Sequence, residues 1–198
     1  MKIKVLVLAE HFIPAVKGGG PIRSIKNLVD NLYDKIDFYI ITSDRDLGDD
    51  KPFDNIELDK WVQVGKAKVL YTDFSKLSFR KIVRLINSVK YDVLYLNSFF
   101  SFKITTIPLF LRRLKLIPRK RVVLAPRGQF SLGALSLKSR KKKLFILLTR
   151  LLGLYKGIIW QATTEFEKDD IKNIFGKEAD IKIANNLTNN YKEYKYNK

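Results

Sequence analysis

Short apolar runs rich in β-branched residues recur at even intervals: Ile3 to Ala9, Phe38 to Thr42, Lys68 to Tyr71, Val93 to Leu96, Val122 to Ala125, Ile158 to Gln161 and Ile181 to Ala184. Between them lie segments with helical spacing. Examples are Ile22, Ile25, Leu28, Val29 and Leu32, then Ile82, Val83, Leu85, Ile86 and Val89, then Ile171, Ile174 and Phe175 before Gly176. Strands alternating with helices imply parallel βαβ units with right-handed crossovers, which leaves few folds open. Continuous hydrophobic strands such as V-L-V-L and V-V-L-A demand burial on both faces, as in a parallel sheet covered by helices. The expected fold class is therefore α/β, a doubly wound, mostly parallel, Rossmann-like sheet. The 198 residues suffice for one such domain and are short for two. The polar segment from Asp44 to Asp59, with Gly48 and Pro52, reads as a loop or poorly ordered excursion, and the apolar pattern stops after Ala184.

Composition narrows the chemistry. A hydrophobic fraction of 46% supports a real core, and 38 Lys and Arg against 20 Asp and Glu give a net charge of +18. The absence of cysteine removes disulfides, thiolate nucleophiles, Cys-ligated zinc and iron–sulfur clusters. His11 is the single histidine, so a Ser-His-Asp triad or a His-rich metal site would have to be built around one imidazole. No metal site is expected. The run from Val5 to Ala9 ends at Glu10 and His11, too short for a signal peptide, and Leu144 to Leu154 is too short and too interrupted to span a bilayer.

In an open α/β sheet, ligands bind outside the carboxyl ends of the strands. Those positions are polar here: Glu10 and His11, Thr42 and Ser43, Asp73, Asn97 and Ser98, Arg127 and Gln129, Thr163 to Glu165, and Asn185 and Asn186. One edge of the sheet is thus expected to form a cleft, with Asn97 and Ser98 preceding two phenylalanines of exposed type. Loops are polar in any case, and the specific residue types carry the cleft reading only as a set.

The run Lys17-Gly18-Gly19-Gly20-Pro21-Ile22-Arg23-Ser24 joins the first strand to a helix. Glycines there let backbone N–H groups approach an anion, and the helix N-terminus adds partial positive charge. Pro21 suits the first helical turn. The run has neither Walker A nor dinucleotide-binding glycine spacing, and a flexible turn without a ligand is its bland reading. Lys138, Arg140, Lys141, Lys142 and Lys143 give another helix a basic start before the apolar body Leu144 to Leu148, and Arg112 to Arg121 forms a second basic stretch. These cations oppose the helix dipole, which fits an anion-attracting surface, although a solvated basic face is the simpler reading. Aromatic stacking platforms of the kind that accompany nucleic-acid binding are missing.

Four segments together resemble a known family: K-G-G-G-P-I-R-S-I-K-N-L-V, Y-D-V-L-Y-L-N-S-F-F, A-P-R-G-Q-F-S-L-G-A-L and W-Q-A-T-T-E-F-E-K-D-D-I. In this order they are similar to the N-terminal, acceptor-side domain of family 4 (group 1) glycosyltransferases of the GT-B fold. The resemblance implies retaining, metal-independent transfer of a sugar from a nucleotide-diphosphate donor to a lipid-linked or polysaccharide acceptor. No further cofactor is implied. By that analogy Gly18, Gly19, Gly20 and Arg23 line the donor diphosphate, and His11, Asn97, Ser98, Arg127, Gly128 and Glu165 are candidates for the acceptor pocket. The basic patch Lys138, Arg140, Lys141, Lys142 and Lys143 would meet an anionic membrane, placing the protein in the cytoplasm on the inner face of the plasma membrane.

Two departures accompany the resemblance. Many relatives carry a His where this chain has Asn97-Ser98, so no catalytic base is assigned. The family's donor-domain signature, two glutamates separated by seven residues, is absent. Residues 1–185 are expected to form the N-terminal domain, with 186–198 a linker or tail toward a donor-binding domain that this chain lacks or that a separate chain supplies. The chain alone is then expected to transfer little sugar. Two rival readings are a non-catalytic module binding anionic membrane or nucleic acid through the basic patches, and a Rossmann oxidoreductase, against which the glycine spacing argues.

Overall fold

A computed structural model describes residues 2–188. The elements in chain order are β1 (Ile3–Leu8), α1 (Gly20–Leu32), β2 (Ile36–Ser43), β3 (Trp61–Val64), β4 (Ala67–Thr72), α2 (Phe79–Asn87), β5 (Val93–Leu96), α3 (Ile107–Arg113), β6 (Arg121–Leu124), α4 (Leu132–Ser136), α5 (Ser139–Leu151), β7 (Ile159–Ala162), α6 (Glu165–Phe175) and β8 (Ile181–Ile183). They form one eight-stranded sheet in the order β3-β4-β2-β1-β5-β6-β7-β8. Every pairing is parallel except β3 with β4. The winding reverses at β1, which pairs with β2 on one side and β5 on the other. That reversal is the topological switch point, where the crossovers diverge and open a crevice at the carboxyl edge.

Strand alternation sorts the core into two layers. Leu6, Leu8, Leu94, Leu96, Leu124 and Trp160 face α2, α3, α5 and α6, while Val5, Val7, Phe38, Ile40, Val69 and Tyr95 lie on the opposite face with Ile25 and Val29 of α1. The first layer is aromatic at its centre. Phe99 has ring centroids within 6.1 Å of Phe100, Phe130, Phe145, Tyr155, Trp160 and Phe175, and Trp160 stacks on Phe175 at 4.3 Å.

Local chemistry sets the helix starts. Pro21 occupies the first turn of α1. The Ser78 hydroxyl accepts from Lys81 N at the start of α2, and the Thr164 hydroxyl accepts from Glu167 N at the start of α6. Among the described residues no helix is long and apolar enough to cross a membrane.

The doubly wound, Rossmann-like α/β sheet agrees with the sequence reading, and several details correct it. β3 is an added edge strand, unexpected because W-V-Q-V is short and directly follows a polar stretch; a Gly65-centred turn folds it back onto β4. The segment from Asp44 onward is irregular as expected, yet Asp44 and Asp46 are buried. Phe99 is fully buried and Phe100 partly buried, so the exposed-type reading of this pair is wrong: the chain turns into a π-helical turn at Phe102–Thr106 and carries both rings under the sheet. Of the expected tail, Asn186, Leu187 and Thr188 lie against α1, bonded to Ser24, Asn27 and Asn31. Its remainder, 189–198, lies outside the described residues.

Candidate functional site

A cavity of about 160 Å³ opens at the carboxyl ends of β1, β5 and β6, at the switch point. Its walls include His11, Gly18, Asn97, Ser98, Arg127 and Gln129. It is smaller than the roughly 300–1,000 Å³ of sites that enclose a drug-sized ligand, which suits one sugar-sized group held at an open edge.

Arg127 dominates the polar wall. Its Nε donates to Asn97 Oδ1 at 2.7 Å, Nη2 to the Tyr95 hydroxyl at 2.7 Å and Nη1 to Asn186 Oδ1 at 2.5 Å. All three acceptors are neutral, and no carboxylate of the described residues lies within ion-pair distance of this guanidinium. The cation is therefore oriented without being neutralised, and two of its five N–H groups remain for a ligand. The Tyr95 hydroxyl in turn donates to Gln161 Oε1 at 2.7 Å. Burial pushes that phenol upward from its ordinary value, and the adjacent Arg127 partly opposes the shift.

Two carboxylates fix the loops that carry these groups. Glu167, 5% exposed, accepts from Gly128 N, Thr163 N and Thr163 Oγ1, each at 2.7 Å, and so ties the loop after β6 to the loop after β7. Arg127 and Gly128 both have left-handed backbones, with φ of 58° and 73°. Asp46, also 5% exposed, accepts from Val16 N and Leu47 N at 2.7 Å and from Lys17 N at 3.1 Å. Burial works to raise the Asp46 carboxyl, but the backbone N–H donors of Val16, Lys17 and Leu47 hold it below the usual carboxylate range.

The glycine run beyond Lys17 is conformationally demanding. Gly19 sits at φ 64° and ψ −125°, a region L side chains rarely adopt, and a Cβ on Gly18 would come within 2.9 Å of Ile22 Cδ1. α1 has neither a side-chain cap nor an acidic residue in its first turn; Pro21 carries no N–H and Arg23 N already donates to Gly19 O at 3.3 Å, so the N–H groups of Gly20 and Ile22 are the ones left at the cavity wall that Gly18, Pro21 and Ile22 form.

His11 Nδ1 lies 3.1 Å from Arg45 O. A carbonyl only accepts, so Nδ1 carries the proton and Nε2 is left as an acceptor in the neutral ring. Gln129 ties the floor together: its Oε1 accepts from Phe99 N at 2.6 Å, and its Nε2 donates to Ser98 Oγ at 3.1 Å.

The structure thus gathers His11, Gly18, Asn97, Ser98 and Arg127 around one cavity, with Gly128 beside it as a clamped backbone donor. Gly19 and Gly20 continue the same turn. Arg23 is exposed on α1 and outside the cavity lining, and Glu165 is exposed and paired with Lys168 at 2.8 Å. The residue two positions on, Glu167, is the one that turns inward. Lys138, Arg140, Lys141 and Lys143 are exposed at the start of α5, whereas Lys142 points inward, to Ala134 O and to 5.2 Å over the Phe100 ring. Sequence reading missed Tyr95, Asp46 and Glu167 as contributors. Only Tyr95 left a signal, since it shares a strand face with Asn97 two residues on.

No protein-family model matches the chain, and no curated protein sequence matches it. Among solved structures it is similar to Anabaena Alr3699/HepE in complex with UDP-glucose, with a TM-score of 0.54 and 12% identity over 93% of this chain and 44% of that one. An alpha-glucosyltransferase in complex with UDP and a 13-mer DNA containing an HMU base gives a TM-score of 0.49 and 14% identity over 92% of this chain and 42% of that one. A Rossmann-fold NAD(P)-binding family protein from Shigella flexneri gives 0.39 and 16%, over 82% and 68%. The first likeness shows a shared fold. The chain spans less than half the length of that structure.

Proposed function

We propose that the cavity at the β1/β5 switch point is the transfer site on the acceptor-side domain of a GT-B glycosyltransferase of the family 4 type, where the diphosphate of a nucleotide-diphosphate sugar meets the acceptor. The observation that carries this reading is Arg127, a cation oriented by neutral partners and facing the glycine-led start of α1 across one sugar-sized cavity. Transfer of a glycosyl group leaves negative charge on the departing diphosphate. Preorganised N–H donors and an unneutralised guanidinium favour the state in which that charge has developed. Asn97, Ser98 and His11 supply hydrogen-bonding groups of the kind that orient a sugar hydroxyl, and their role here is positioning. The shared fold with a protein seen holding UDP-glucose supports the same reading.

The finer parts of the proposal follow the resemblance stated above: retention of anomeric configuration and a lipid-linked or polysaccharide acceptor. The nucleotide is held mainly by a second, donor-binding domain, on the same polypeptide or on a partner chain. Without such a domain, most of the positioning contribution to catalysis is missing. The purified 198-residue chain is therefore expected to bind nucleoside diphosphates weakly and to transfer little sugar. The test is amide chemical-shift mapping with UDP and with inorganic pyrophosphate, on the chain and on Arg127→Gln, alongside a transfer assay with UDP-glucose. Shifts confined to residues 17–23 and 127–129, lost in Arg127→Gln, support the site. Shifts elsewhere, or none with either probe, overturn it, and vigorous transfer by the chain alone refutes the need for a donor domain.

A further inference from the structure

The basic helix carries a feature that the cleft does not use. α5 buries Ile146 and Thr149 and turns Leu144, Leu147, Leu148 and Leu151 outward, at 50–75% exposure. These four positions have the i, i+3, i+4, i+7 spacing of one helix face and span about 10 Å along its axis. Leu152, Leu137 and Leu132 extend the exposed apolar set at either end. Soluble domains seldom leave such a face uncovered.

What surrounds the stripe indicates its partner. Arg140 and Lys141 precede Leu144 by four and three residues and so lie on its face, and Lys143 and Arg150 flank it. Past the end of the helix, the Arg113 guanidinium lies against Gly153. From Val93 to Thr164 the sequence contains no Asp or Glu, against fifteen Lys and Arg. Pairing two copies through this face would set one basic rim against another. A bilayer with anionic headgroups satisfies both parts: leucines enter the headgroup–acyl boundary while long basic side chains reach out to phosphates.

We propose that the outward face of α5 is a monotopic docking surface for an anionic lipid bilayer, with Leu144, Leu147, Leu148 and Leu151 inserted and Arg140, Lys141 and Lys143 at headgroup level. Lys142, committed to Ala134 O and the Phe100 ring, takes no part. The proposal stands on α5 alone and does not depend on the glycosyltransferase reading.

Co-sedimentation of the full chain with phosphatidylcholine vesicles, with and without phosphatidylserine, tests it. Binding is expected only when phosphatidylserine is present. Arg140→Ser/Lys141→Ser/Lys143→Ser and, separately, Leu147→Ser/Leu151→Ser are each expected to lower it at least about ten-fold. All five residues are exposed, so an unchanged circular dichroism spectrum is expected for both variants. A Leu148→Trp variant should be quenched by brominated acyl chains. If the leucine variant binds as well as the parent, the contact is simple polyanion attraction and the proposal is overturned. It is equally overturned if the chain ignores vesicles and self-associates through a contact that Leu147→Ser/Leu151→Ser abolishes.

Discussion

Glu167→Gln is a nearly isosteric change, and on a solvated helix start it would be almost silent. Here it is expected to be costly. One carboxylate oxygen takes the Gly128 N–H, and the other takes the Thr163 N–H and hydroxyl, all at 2.7 Å in a side chain only 5% exposed. An amide offers one oxygen. Whichever way it turns, its NH₂ confronts a backbone N–H, leaving at least one charge-assisted bond lost and one donor unsatisfied. A hydrogen bond to a charged group contributes about 1.5–3 kcal/mol, so a net loss of about 2 kcal/mol is expected. With a urea m-value of about 2 kcal/mol/M, the midpoint should fall by about 1 M. Glu167→Ala should cost at least as much, since all three donors lose their acceptor. Amide exchange at Gly128 and Thr163 should accelerate in both variants, because the clamp is local. A Glu167→Gln midpoint within about 0.2 M of the parent would refute the claim that this carboxylate holds the Arg127 loop.

The other loop clamp has a pH signature. Because the folded state holds Asp46 below the usual range, its contribution is complete above the unfolded carboxyl value of about 4 and is lost as pH falls through the lower folded value. The stability gap between the parent and Asp46→Ala, measured by urea titration, should therefore be constant near neutrality and narrow below about pH 4; a gap independent of pH down to the acid transition would sink the assignment. Gly19→Ala meets no atom within 4 Å yet forces a side chain onto φ 64° and ψ −125°, so it should cost about 1–3 kcal/mol through strain alone. Gly20→Ala, equally uncrowded and without a positive φ, should be close to neutral, and equal losses at the two positions would contradict the strain argument.

The sheet was legible because its signal is local and redundant. Runs such as Val5 to Leu8 and Val122 to Leu124 are apolar on both faces, and only a doubly covered parallel strand explains that. β3 escaped because Trp61–Val64 is a half-exposed edge strand whose pairing with β4 depends on a turn at Gly65 rather than on its own apolar content. Phe99 escaped for a related reason. A phenylalanine after a strand end has no periodic neighbours to show its direction, and the π-helical turn that follows sends it under the sheet.

The cavity walls divide along the same line. Asn97, Ser98 and Arg127 could be named in advance, since a residue following a strand's carboxyl end is placed by topology alone. Arg127's unpaired charge could not, because it depends on Tyr95, Asn97 and Asn186, which approach it from three separate segments. The carboxylates were hidden more deeply. Asp46 and Glu167 sit among other acids, Asp44, Asp49 and Asp50 in one segment and Glu165, Asp169 and Asp170 in the other, and composition makes all of them look solvated. What selects Asp46 is a set of backbone amides, two of them about thirty residues earlier, and what selects Glu167 includes an amide thirty-nine residues earlier. Backbone donors carry no side-chain identity, so no motif marks the carboxylate that meets them. The groups that hold a site in shape through the main chain are thus the ones sequence shows least, and at this cleft they are the two whose loss should loosen the glycine turn and the Arg127 loop independently of each other.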